Sequence, residues 1–142
     1  MSELTEAQRR RVERALDTVP FAQLLGIRLE SVVSGYAVLA LPIREELKQN
    51  NAIVHGGAIA SLIDSAMAFA IIPLLAEHER MTTVDLTIHY LRPLVEGDAK
   101  ASARVVRAGR RVIVVSAEVL DHEERLAATA VSTYLRLTPD SD

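Results

Sequence analysis

The sequence predicts an α+β fold, in which one long central helix is wrapped by a curved antiparallel sheet of five to six strands. Three observations lead there. Strand-like segments follow one another across short turns, which favours antiparallel pairing over a doubly wound sheet. The segment GGAIASLIDSAMAFAIIPLLAEHER is long and rich in Ala, Leu and Ile. A helix that is apolar all round must be covered all round. Finally, 142 residues with 49% apolar and 25% charged side chains suit one globular core, so 1–142 is read as a single domain.

Each element has its own signal. Leu4, Ala7, Val12, Ala15 and Leu16 recur at helical spacing among charges, so 3–17 is an amphipathic helix within an N-terminal segment 1–19. The core, 20–137, opens with Pro20 and a short turn that Gly26 closes. IRLESVV and YAVLALPI alternate as two strands about a Ser34-Gly35 turn, and Pro42 marks the end of the second or an edge position. Residues 44–55 form a polar loop. The apolar helix is expected over 58–78, kinked at Pro73. Four strands then follow: MTTVDLTIHYLRPL, DAKASARVVRAG, RRVIVVSAEVLD and RLAATAVSTYLRLTP. Gly97-Asp98, Ala108-Gly109 and His122-Glu123 supply the turns between them.

Composition excludes several classes of function. The chain has no cysteine, which removes disulfides, thiolate metal sites and thiol nucleophiles. Asp85, Thr87 and His89 share a strand face, but one Asp and one His do not make a metal site. A net charge of −3 argues against a nucleic-acid binder. The charged N-terminus lacks the apolar stretch of a secretory signal, so the expected location is cytoplasmic. The long helix is not read as a membrane span, because Asp64 and Pro73 interrupt it and amphipathic strands flank it. Charge is nonetheless uneven. Arg92, Lys100, Arg104, Arg107, Arg110 and Arg111 against Glu96 and Asp98 give +4 within 92–111. A basic patch on an acidic chain suits a small anionic ligand.

Asp64 carries the chemical reading. It is the sole formal charge from Gln49 to Ala76, counting His55 as neutral. A carboxylate there is costly unless paired, so it is a candidate general base. Ile59, Leu62, Ile63, Ala66, Phe69 and Ala70 form the natural sheet-facing stripe, which turns Asp64 away from the sheet. His55-Gly56-Gly57 opens the same helix. Its first N–H groups lack internal acceptors, and glycine lets an oxygen come close, so an oxyanion hole is expected there. Gly57 and Asp64 are seven residues apart, about 10 Å along a helix. One reacting carbon cannot touch both, so if both act on one bond they must come from two chains, as an antiparallel pair of helices across a twofold axis would supply. A homodimer follows.

VHGGAIASLIDSAMA followed by TTVDLTIHYLRP resembles the hotdog-fold acyl-CoA thioesterases, in particular the phenylacetic-acid-pathway (PaaI-like) branch. The likeness spans roughly residues 20–137. It implies a helix lying in a curved sheet, dimers joined edge to edge, and pairing of dimers into tetramers. It implies that Asp64 is the nucleophile or general base, that the Gly56 N–H polarises the thioester carbonyl, and that His55 supports that loop. Thr83 matches the hydroxyl that positions water. The family's Asn six residues before the His is Gln49 here, with Asn50 and Asn51 beside it, a departure that leaves open which carboxamide serves. Arg92, Arg110 and Arg111 become candidates for the CoA phosphates, since Arg suits phosphate. Met67 is expected beside an acyl channel at the dimer interface. No cofactor is implied, because CoA belongs to the substrate. Two alternatives use the same fold: enoyl-thioester hydration or dehydration, although the usual His-Phe-Pro-Gly pattern is absent, and non-catalytic acyl-CoA binding.

Overall fold

The computed structural model describes residues 2–139. Helix α1 (Glu6–Asp17) is followed by a short helix α2 (Pro20–Leu25), then strands β1 (Arg28–Val33) and β2 (Tyr36–Pro42). Helix α3 (Gly56–Ile71) comes next, then β3 (Arg80–Tyr90), β4 (Asp98–Ala108), β5 (Val112–Leu120) and β6 (Leu126–Leu137). All six strands form one antiparallel sheet in the order β1-β2-β4-β5-β6-β3. This is the hotdog architecture.

The sheet has to curve. α3 contacts β1, β2, β3, β4 and β5, although strands sit about 4.8 Å apart and a helix is only about 10 Å across. Bulges help to bend it. The register slips once in the β1–β2, β3–β6, β4–β5 and β5–β6 ladders, and an extra residue in one strand bends that strand. Leu39, Leu41, Ala101, Ala103, Ile113, Val115 and Val119 line the concave face and are sealed against Leu62, Ile63, Ala66 and Ala70 of α3. Their alternation with outward residues is the period-2 signal of the sequence.

The ends of the long helix differ from expectation. It starts at Gly56 rather than 58, because His55 caps it. It stops at Ile71, where Pro73 turns the chain into a 3-10 turn, Ile72–Leu74, instead of kinking a helix that runs on to 78. The carbonyls released there are taken up by other elements. Gln8 Nε2 donates to Pro73 O at 2.8 Å, Arg11 to Leu75 O, and Arg136 to Leu74 O at 3.2 Å. Thus α1, held by a capping box between Thr5 and Gln8, closes the C-terminal end of α3. The PFAQLLG turn is in fact one short helix, closed by Gly26 in the left-handed region. Residues 56–74 are long and apolar enough to cross a membrane, but 56% of that stretch is buried inside the fold as its core helix.

Candidate active site

The N-terminus of α3 is fixed from both sides. His55 N–H donates to Leu47 O and Val54 N–H to Leu94 O, each at 2.8 Å, which pins the entering chain. His55 has extended backbone, and its Nδ1 accepts from Gly57 N–H at 2.8 Å. That is the geometry of a helix N-cap. It also corrects the expectation for Gly57, whose N–H is already spent on His55. Gly56, one position earlier, keeps an amide with no intrahelical acceptor. The Gly56 carbonyl accepts from Tyr90 Oη at 2.9 Å, so the end of β3 clamps this peptide. A Cβ at Gly56 would lie 3.3 Å from Tyr90 Cζ, a tight contact that the tyrosine ring would have to relieve by a few tenths of an ångström.

A cavity of about 380 Å³ opens beside Gly56. Ile53, Val54, Ile59, Leu91 and Leu94 give it an apolar wall, and Gln49 and Arg92 supply polar groups at its border. Among the three neighbouring carboxamides, Gln49 is the one placed here; Asn50 and Asn51 are exposed. Gln49 Oε1 accepts from Asn51 N–H at 2.5 Å, which holds the side chain within its own turn.

Asp64 lies two turns further along the helix and does not turn away from the sheet. Its Oδ1 accepts from Tyr134 Oη of β6 at 2.6 Å and from Thr83 Oγ1 of β3 at 3.1 Å. The expected sheet-facing stripe, Ile59, Leu62, Ile63, Ala66, Phe69 and Ala70, is buried throughout. The sheet covers more of the helix than that stripe. A sheet that wraps the helix also reaches its flank, and β6 and β3 lie there. Met67 differs too: it is fully buried in the core and borders none of the described cavities. Tyr134, which sequence reasoning missed, is 2% exposed. Burial, reinforced by the hydrogen bond and charge of Asp64, pushes its phenol far above the ordinary value of 10.0, so it remains a protonated donor.

The arginines separate into two groups. Arg92 follows the Tyr90 end of β3 and lines the cavity. Arg110 and Arg111 lie in the β4–β5 turn, and Val112 pairs with Leu135 close to where Arg80 pairs with Leu137. They therefore sit at the opposite end of β3, about 30 Å away along an 11-residue strand. One chain does not bring all three together.

An open, curved antiparallel sheet around a helix whose capped N-terminus faces an apolar cavity defines the class, and comparison with known proteins agrees. A family model described as Thioesterase superfamily matches residues 51–128. The medium/long-chain acyl-CoA thioesterase YigI of Escherichia coli K12 is 33% identical over 132 residues, covering 82% of this chain and 85% of YigI. The acyl-coenzyme A thioesterase PaaI of the same organism is 29% identical, covering 75% of each chain. Among solved structures, a thioesterase family protein from Silicibacter pomeroyi superposes with a TM-score of 0.88 at 25% identity, covering 92% of this chain and 98% of its own. The Escherichia coli PaaI structure gives a TM-score of 0.86 at 24% identity, covering 95% and 96%. The chain belongs to the thioesterase superfamily.

Proposed function

We propose that this protein is a cytoplasmic, metal-independent acyl-CoA thioesterase with Asp64 as its nucleophile or general base, working as a homodimer with two composite sites. The carrying observation is the pairing of an unspent Gly56 N–H, beside an apolar cavity, with a carboxylate held at the margin of the same sheet. Family membership and the activities of YigI and PaaI support the reaction class.

Eight residues separate Gly56 from Asp64 on one helix, about 12 Å, so two subunits are still needed. How they meet differs from an antiparallel pair of helices, because Asp64 is turned toward β3 and β6. β3 is an edge strand of 11 residues with exposed Val84 and Tyr90. An unpaired edge of that length invites a second copy. Antiparallel β3–β3 pairing that sets Thr83 opposite the partner's Tyr90 brings the Gly56 clamped by that tyrosine to Asp64. The same register brings Arg92 of one subunit toward Arg110 and Arg111 of the other, where the CoA phosphates would lie. Pairing of dimers into a tetramer is compatible with this edge contact, which leaves the outer sheet face uncovered.

In this scheme the thioester carbonyl oxygen accepts from the Gly56 N–H. Asp64 adds to the carbonyl carbon, or takes a proton from a water that adds. The tetrahedral intermediate then expels the CoA thiolate, which is protonated as the acid is released. In the nucleophilic version a water hydrolyses the acyl-enzyme anhydride afterwards. Gln49 and Thr83 orient the substrate and the water.

Thiol release with short, medium, long and aromatic acyl-CoAs tests the activity, and silence across that panel would remove the reading. Asp64→Asn is expected to lower turnover at least about a hundredfold, the scale of a lost general base, while the dimer stays folded. Undiminished hydrolysis by that variant would take Asp64 out of the mechanism.

A further inference from the structure

We infer that Tyr134 is a positioning residue that, together with Thr83, ties down one oxygen of Asp64 and so selects Oδ2 as the oxygen that acts on substrate or water. This rests on the proposed role of Asp64.

The geometry begins with the carboxylate. Among the described residues, the two side-chain hydrogen bonds that Asp64 accepts both fall on Oδ1, at 2.6 Å from Tyr134 Oη and 3.1 Å from Thr83 Oγ1. The first lies in the short range of hydroxyl donors to an ionised carboxylate. Tyr134 Oη also lies 3.1 Å from the Asp64 carbonyl, so the phenol meets both the side chain and the backbone of the residue it holds. A phenol has one proton. The 0.5 Å difference in distance assigns it to Oδ1. Neither bond falls on Oδ2.

The donors are unlike one another. Tyr134 is sealed in the core, packed where β6 meets β5 and β3. Thr83 is on the exposed edge strand. A donor sealed in the core fixes a carboxylate better than a hydroxyl carried on an edge strand. A reacting carboxylate needs one orientation, because misplacement by about 1 Å costs on the order of a hundredfold. Fixing it through Oδ1 keeps both of these donors off Oδ2.

The test uses Tyr134→Phe, which keeps the ring and removes only the hydroxyl. We expect kcat for thiol release to fall about tenfold with KM within about twofold, the pattern of an interaction that matters in the transition state. In an Asp64→Asn background the same change is expected to add no further loss, since the residue acts through Asp64. The crystal structure of Tyr134→Phe is expected to show the Asp64 carboxylate moved or split between rotamers. Unchanged kcat, a full additive loss in the double variant, or an Asp64 that stays in place would each overturn the inference. If Tyr134→Phe fails to fold, a crystal structure of the wild-type protein decides: Asp64 Oδ1 is expected within hydrogen-bond distance of Tyr134 Oη with no protein donor on Oδ2, and a carboxylate held through Oδ2, or not held by Tyr134, would overturn the inference. The structural readout needs no substrate. A wild-type protein inactive toward every acyl-CoA would therefore sink the thioesterase reading while the orienting role was still judged by crystallography.

Discussion

At the scale of single residues, the most telling feature outside the site is Asp121, a buried acid that holds a turn. Its Oδ1 accepts from the N–H groups of Glu123 and Arg125, and its Oδ2 from Arg125 Nε, each at 2.9 Å. Burial pushes this carboxyl up, but the two backbone donors and the guanidinium outweigh it, and the net effect holds it below its ordinary 3.8. A carboxyl depressed on folding stabilises the native state above its unfolded value, and that contribution is lost as pH falls through the folded value. Melting temperature is therefore expected to fall below about pH 4, and Asp121→Asn to lower it at neutral pH while flattening this acid limb. Melting curves from pH 2.5 to 7 check both; an unaltered acid slope in the variant would assign it to other carboxyls. Tyr134 shows what a sequence holds without displaying. Alternation along β6 places Ala128, Ala130, Ser132 and Tyr134 on one face, so a buried phenol was inferable. A buried phenol wants an acceptor, and Asp64 is the one carboxylate of the apolar helix. What could not be read was that β6 lies beside that flank of α3, a fact of long-range pairing.

Among the elements, α3 carries the candidate site, whose amide lies in its first turn behind the His55 cap. Gly56 occupies the first helical position, where proline is tolerated since the N–H has no helical acceptor. His55 before it is already extended, at φ −63° and ψ 135°, as the residue preceding a proline prefers. Gly56→Pro therefore deletes one N–H while sparing the helix, with Tyr90 yielding a few tenths of an ångström to the added Cβ. We expect kcat to fall by about 10² to 10³, the cost of one oxyanion donor, with helical circular dichroism preserved. Near-normal turnover would mean that a different group binds the carbonyl oxygen. The helix itself was plain in the sequence because its apolar run and entrance glycines are local signals. Its end was misplaced because Pro73 reads equally as a kink or a stop, and only the docking of α1 and Arg136 decides between them.

For the whole molecule the question is whether one chain suffices. Mixed dimers answer it. In a heterodimer of Asp64→Asn and Gly56→Pro subunits, a composite arrangement leaves one of two sites with both groups intact. Random exchange between the two inactive proteins is expected to restore about a quarter of wild-type turnover, since half the dimers are mixed and half their sites are whole. Sites contained within one chain would restore none. The proposal of two subunits was open to sequence reading, because the helical rise between Gly57 and Asp64 is arithmetic. Which strand would form the proposed seam was not. β3 borders the sheet only because β6, the last element of the chain, returns to pair with it rather than with β4.

The irregular pairing beside Asp64 has a consequence for how this chain tolerates change. Thr83 faces Tyr134 and Asp85 faces Thr133, so Val84 is a supernumerary residue in β3. Strand side chains alternate, yet Met81 and Thr83 on one side of Val84 and Leu86, Ile88 and Tyr90 on the other all turn toward the helix. Odd numbers give way to even ones across a single amino acid. Excise that amino acid and the parity would hold through the strand: if Thr83 kept its hold on the acid, Tyr90 would swing out to solvent and release the helix tip, and the reverse if Tyr90 stayed. The gap between acid and amide is thus metered in an odd count of residues. Lineages of this chain can lengthen or trim the strand in steps of two, but a step of one would disconnect its two halves.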